Sequence, residues 1–88
     1  MTLKGADTTR LRELSKIFKT QHGNLNDLIT AISNGTRGSD DFWKGPRANR
    51  FRDDWEKLKP SLTNFVDSLE RARKETSDAA DANDRIND

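Results

Sequence analysis

Eighty-eight residues allow one small domain. Sixteen Lys and Arg against fifteen Asp and Glu leave a formal charge of +1, without the basic excess of a polyanion binder, and the absence of cysteine excludes disulfides and thiolate metal sites. A single histidine, His22, and no apolar run near the ~18–20 residues of a bilayer span remove most zinc and triad arrangements and any transmembrane helix.

Met1-Thr2-Leu3-Lys4-Gly5 carries no apolar signal-peptide core, so any export is expected to bypass an ordinary cleaved signal. Leu, Ile, Val and Phe make only 17 of the 88 residues. So thin a supply must be spaced efficiently if the chain is to fold.

The first spaced segment runs over residues 8–34. Leu11, Leu14, Phe18, Gln21, Leu25, Leu28 and Ile32 step by three and four, and all but Gln21 are apolar. This is the seam of a packed helix, not the period of two of a strand. Ile17 and Ile29 flank the seam and widen it. Asp7 or Thr8 can cap the N-terminus by accepting an orphan backbone N–H. Gly23 is a weak point, costing ~1 kcal/mol relative to Ala. The register runs unchanged through it, which favours one helix with a soft middle over a break at Gly23-Asn24.

The centre holds Asn34, Gly35, Gly38, Ser39, Asp40 and Asp41, which are turn and cap residues. Phe42 and Trp43 interrupt this polarity. Gly45-Pro46 follows, and Pro suits a first helical position because its missing N–H costs nothing there. The predicted loop spans residues 35–45.

A second repeat begins at once and predicts a helix over 46–82. Ala48, Phe51, Trp55, Leu58, Leu62, Phe65, Leu69, Ala72, Thr76, Ala79, Asn83 and Ile86 keep the same rhythm. Pro60 lies off this seam and is expected to bend the helix locally. From Ser77 the seam has little to bury, and an acidic tail, residues 83–88, is expected to fray.

Two such helices make an all-α, antiparallel helix-turn-helix hairpin as a single unit over residues 1–88. The expected hairpin and dimer core is Leu11, Leu14, Phe18, Leu25, Leu28, Ile32, Trp55, Leu58, Leu62, Phe65 and Leu69. Ile17, Ile29 and Val66 suggest a second packing surface. A lone two-helix layer is marginal. The economical solution is dimerisation into a four-helix bundle.

Trp43-Lys44-Gly45, between two heptad-patterned helices, resembles the signature of the Trp-Xaa-Gly (WXG) hundred-residue family, the early-secreted-antigen-like substrates of type VII secretion. Family members often continue as Trp-x-Gly-x-Ala-Ala-x-x-Phe. Trp43, Gly45, Ala48 and Phe51 match, while Arg47 replaces the first Ala. Leu58-Lys59-Pro60-Ser61-Leu62 is also similar to a frequent family pattern. The resemblance covers nearly the whole chain and implies an antiparallel dimer of hairpins, exported folded by a membrane ATPase machine. The family's second export element, Tyr-x-x-x-Asp/Glu just past helix 2, has no counterpart, since the chain has no tyrosine. Asp84 and Asp88 have the acidic spacing but no aromatic precedes them. Three alternatives follow: reliance on a partner's tail, a degenerate tail, or no export.

Other candidates read more plainly. His22 has no convergent partners for catalysis or metal binding. Asp40-Asp41 and Asp53-Asp54 are neighbours that point apart on a helix, suited to solvation and capping. Lys44, Arg47, Arg50 and Arg52 form a basic cluster, diluted by Asp53, Asp54 and Glu56, and read as a solvated, ion-paired face. Trp55 and Phe51 read as core. Trp43 either staples the turn or presents an aromatic recognition surface, and the two roles can coexist.

The resulting expectation is a non-enzymatic secretion substrate or secretion partner without cofactor, metal or nucleic acid, and with no membrane-binding role. It is cytoplasmic before export and secreted by a signal-peptide-independent route. Its partner is itself or a paralogous WXG-type chain, with a larger toxin and the export ATPase as further partners. The alternatives are a targeting partner of such a toxin and a cytoplasmic coiled-coil adaptor unrelated to export.

Overall fold

The structure, a computed structural model, describes residues 7–87. Two long helices lie antiparallel. Helix α1 spans Thr8–Arg37, a short 3-10 turn spans Ser39–Asp41, and helix α2 spans Pro46–Asn87. No strand occurs among the described residues. The molecule is a rod of 63 × 16 × 14 Å. A helix of 42 residues is ~63 Å long at 1.5 Å per residue, so α2 alone sets the length.

Asp7 caps α1, its carboxylate accepting the backbone N–H of Arg10 at 3.2 Å. The helix runs unbroken through Gly23. It also passes Gly35 and ends at Gly38, three residues beyond the expected end at 34. Thr36 on the inner face gives the extra turn something to pack against. Its carbonyl then accepts both the Gly38 N–H and the Ser39 hydroxyl, which closes the helix. Pro46 opens α2, which continues through Pro60.

Helix α2 runs on through Asn87, five residues beyond the expected end at 82, and Ala80 is fully buried. Polar contacts with the start of α1 hold it. Arg12 donates to Asp81 at 3.0 Å and to Asp84 at 2.6 Å, and the Asn83 side-chain amide donates to the Thr8 hydroxyl at 2.6 Å. These bonds hold the Arg12 guanidinium above its ordinary range and, from the other side, hold the Asp84 carboxyl below its own. Asp88 and the side chain of Ile86 lie outside the described residues.

The inner face differs from the expected seam in one systematic way. On α1 the residues turned inward are Leu11, Ser15, Phe18, His22, Leu25, Ile29, Ile32 and Thr36; on α2 they are Ala48, Arg52, Trp55, Lys59, Leu62, Val66, Leu69, Arg73, Thr76, Ala80 and Asn83. Half of these belong to the expected seam. The other half lie four residues after a seam position, where the expectation placed residues three after it. Ile29 and Val66, expected on a second surface, are therefore buried between the helices with Trp55, against Leu25, Ile32 and Leu62. Leu14, Leu28, Leu58 and Phe65 are exposed instead.

The reason is angular. At about 100° per residue, a position three along lies about 60° to one side of the shared line and a position four along about 40° to the other. The smaller angle pairs better with the shared line in this hairpin. The cost is polarity: Ser15, His22, Arg52, Lys59 and Arg73 fall on the inner line. The buried apolar cluster gathers around Ile29, Trp55 and Val66. Among the described residues no large side chain is fully buried.

Candidate functional site: the WxG turn and the outer apolar face

The turn is built from the ends inward. After Gly38 the backbone N–H groups of Phe42 and Trp43 both bond to the Ser39 carbonyl, at 3.1 and 2.7 Å, which coils the chain tightly. Gly45 has φ +108°, the only positive φ among the described residues, and there an L side chain would be strained. Its carbonyl accepts the Asn49 N–H at 3.0 Å and so starts the hydrogen-bond ladder of α2. Ala48 is fully buried one turn into that helix, where the missing bulk admits the turn above it.

Trp43 is 40% exposed and Phe42 79%. The indole of Trp43 meets the ring of Phe51 at 5.7 Å between centroids, tilted by 45°. Phe51 is thus not hairpin core, as expected, but part of an exposed aromatic pair. The guanidinium carbon of Arg52 lies 5.8 Å from the centre of the Trp43 ring, within cation–π reach.

Arg52 is also the centre of the turn's hydrogen bonds. Its Nε and one terminal nitrogen donate to the Ser39 hydroxyl at 3.1 and 3.0 Å, and that same nitrogen donates to the Trp43 carbonyl. The other terminal nitrogen donates to the Asn49 side chain at 3.3 Å, and Asp40 pairs with Nε at 3.2 Å. Ser39 is buried, and its own hydroxyl donates to the Thr36 carbonyl at 2.8 Å. Sequence reasoning placed Arg52 in a solvated basic cluster with Lys44, Arg47 and Arg50. Those three are exposed, whereas Arg52 is folded into the turn. The signal that could have found it is its position four residues after Ala48, on the inner line.

The second feature is a face. Leu14, Ile17 and Leu28 of α1 and Phe51, Leu58 and Phe65 of α2 are all exposed. On each helix they lie to the same rotational side of the inner line. Antiparallel helices seen from one end wind in opposite senses, and their inner lines face each other, so both stripes reach the same side of the rod. With Trp43 beside Phe51, this side exposes on the order of several hundred Å² of apolar surface. His22 is half-buried on the inner face, away from this surface.

A family model for proteins of 100 residues with WXG (WXG100) matches residues 6–84. The chain belongs to the WXG100 family. That family is associated with type VII secretion substrates, and its members typically form homo- or heterodimers with related WXG chains. Comparison with curated proteins and with solved structures gives no significant match. Among the described residues no helix is long and apolar enough to cross a membrane.

Proposed function

We propose that this WXG100 chain is a non-enzymatic substrate or secretion partner of a type VII system, acting as one half of a four-helix bundle. The observation that carries the reading is the outer apolar face. Leu14, Ile17, Leu28, Phe51, Leu58 and Phe65 are exposed in the single hairpin and aligned on one side. A hairpin whose own buried apolar cluster gathers around Ile29, Trp55 and Val66 gains most by covering that side with a second hairpin. The partner is a second copy of the chain or a related WXG chain. Arranged antiparallel, each copy would place its WxG turn beside the other's chain ends, where Trp43 presents an aromatic surface. The alternative partner is a larger toxin exported by the same system, with this chain as its targeting partner.

Two measurements test the reading. Sedimentation of the purified chain, alone and mixed with the product of a neighbouring gene, is expected to give a two-chain mass in at least one case. The protein is also expected in culture supernatant only when the export ATPase is intact. A chain retained in cells regardless of the ATPase would instead favour the cytoplasmic adaptor, and a persistent mass of 10.0 kDa under both conditions would remove the bundle.

A further inference from the structure

The WxG tripeptide does not hold itself in place. Gly45 supplies a backbone bend and Pro46 a helix start, but neither fixes the Trp43 ring. The ring touches two side chains one turn into α2, Phe51 and Arg52. Phe51 is itself exposed and can move with the indole. Arg52 cannot move so freely: its side chain is only 21% exposed and is held by the Ser39 hydroxyl, the Asn49 amide oxygen and the Asp40 carboxylate.

We propose that Arg52 is the positioning residue of the Trp43 surface: its guanidinium fixes both the backbone and the ring of Trp43. One flat group does both. Its edge donates to the Trp43 carbonyl while it lies against the Trp43 ring. The Ser39 hydroxyl, buried and itself bound to Thr36, supplies the fixed point from the end of α1. The chain of contacts runs from α1 through Ser39 and Arg52 to the indole, so the aromatic surface takes its orientation from the hairpin as a whole. Lysine cannot do this. It carries the same charge but no planar fork, and it cannot bridge Ser39, Asn49 and a carbonyl while lying against a ring.

The functional consequence rests on the recognition role of Trp43 proposed above, whereas the positioning itself does not, and the test separates them. The full chain is labelled with 5-fluorotryptophan, which gives one fluorine signal for Trp43 and one for buried Trp55. Trp43→Phe assigns them. In Arg52→Lys and Arg52→Gln the Trp43 signal is expected to move towards its position in the urea-unfolded chain. The Trp55 signal and the helical circular dichroism stay unchanged. Should Arg52→Gln fail to fold, Arg52→Lys carries the comparison alone.

An unmoved Trp43 signal in a folded variant overturns the proposal. Joint movement of both signals in Arg52→Lys, with lost helicity, also overturns it, since Arg52 would then be a general prop. In export, Arg52→Gln is expected to match the loss caused by Trp43→Ala, and the double variant to lose no more than either. A further loss in the double variant overturns a route through Trp43. If Trp43→Ala is exported normally, recognition by the turn fails, and the fluorine signals still decide the role of Arg52.

Discussion

Phe65 and Val66 are neighbours in sequence and opposites in the structure, at 54% and 8% exposure. Substituting each separates the outer face from the inner one. Phe65→Ser removes an aromatic side chain that buries ~150–250 Å² when fully covered, and about half of this, ~100 Å², awaits a partner. At ~25 cal/mol per Å² the loss is ~2.5 kcal/mol per copy. In a two-fold pair it counts twice, ~5 kcal/mol, which weakens association by at least ~10³-fold. Val66→Ala instead removes two buried carbons, ~1.6 kcal/mol plus a small cavity term. At ~4–8 °C per kcal/mol for a chain of this size, melting should fall by roughly 10 °C. Sedimentation over a dilution series, paired with thermal melts, reads both effects. Phe65→Ser is expected at the single-chain mass of 10.0 kDa at concentrations where the parent is assembled. Val66→Ala should keep the assembled mass and melt early. A Phe65→Ser chain that holds the parent's mass on dilution would refute the assignment of the two faces. So would a Val66→Ala chain that dissociates without melting earlier.

Three further outcomes follow from local geometry. Gly23 lies mid-helix with nothing within 4 Å of an added Cβ, so Gly23→Ala should stabilise by ~0.5–1 kcal/mol, seen as a melting increase of several degrees. Gly45→Ala also meets nothing within 4 Å, but its φ of +108° is strained for alanine, and a loss of ~1–3 kcal/mol is expected in denaturant unfolding. The Arg12 contacts predict acid loosening of the last turns of α2. The folded Asp84 carboxyl sits below its ordinary range, chiefly through the hydrogen bond from Arg12. Its stabilising contribution is therefore complete above the ordinary Asp range near ~3.9 and is lost as pH falls through the depressed folded value. Hydrogen exchange at residues 81–85 should speed up over that interval in the parent and be already fast, with a flatter pH response, in Arg12→Gln.

The two-helix architecture could be read from spacing because an amphipathic helix must repeat every three or four residues, and both segments do. The centre could be read from Gly45 and Pro46, since few residues tolerate a positive φ and proline suits the first helical position. The facing line could not be read so simply. Each helix carries apolar residues three after the shared line, as at Leu14, Leu28, Phe51, Leu58 and Phe65. Four after it lies a mixture: Ser15, His22, Ile29, Arg52, Lys59 and Val66. Hydrophobicity alone chooses the first set for the interior. The structure turns the second set inward, and two of its polar members find partners outside their own helix. Ser15 donates to the Arg73 carbonyl at 3.0 Å, and Arg52 bonds Ser39. Arg12 and its two aspartates are 69 and 72 residues apart, a pairing that no local pattern encodes.

The polar residues on the inner line also divide the labour along the rod. Ile29, Trp55 and Val66 hold the middle by burial, which salt and moderate acid barely touch. Arg52 holds the turn, and Arg12, Ser15, Thr8 and Asn83 hold the open end, by hydrogen bonds and ion pairs near water. Exposed ion pairs of this kind are individually weak and are screened by salt. The open end, held by the exposed Arg12 pairs, is therefore the part most easily remodelled by a bound partner, and in the proposed antiparallel bundle it would meet the partner's turn. Leu14, Leu28, Leu58 and Phe65 remain exposed on the outer face, so that in the proposed bundle each fold would be completed by the contact that joins it to its partner.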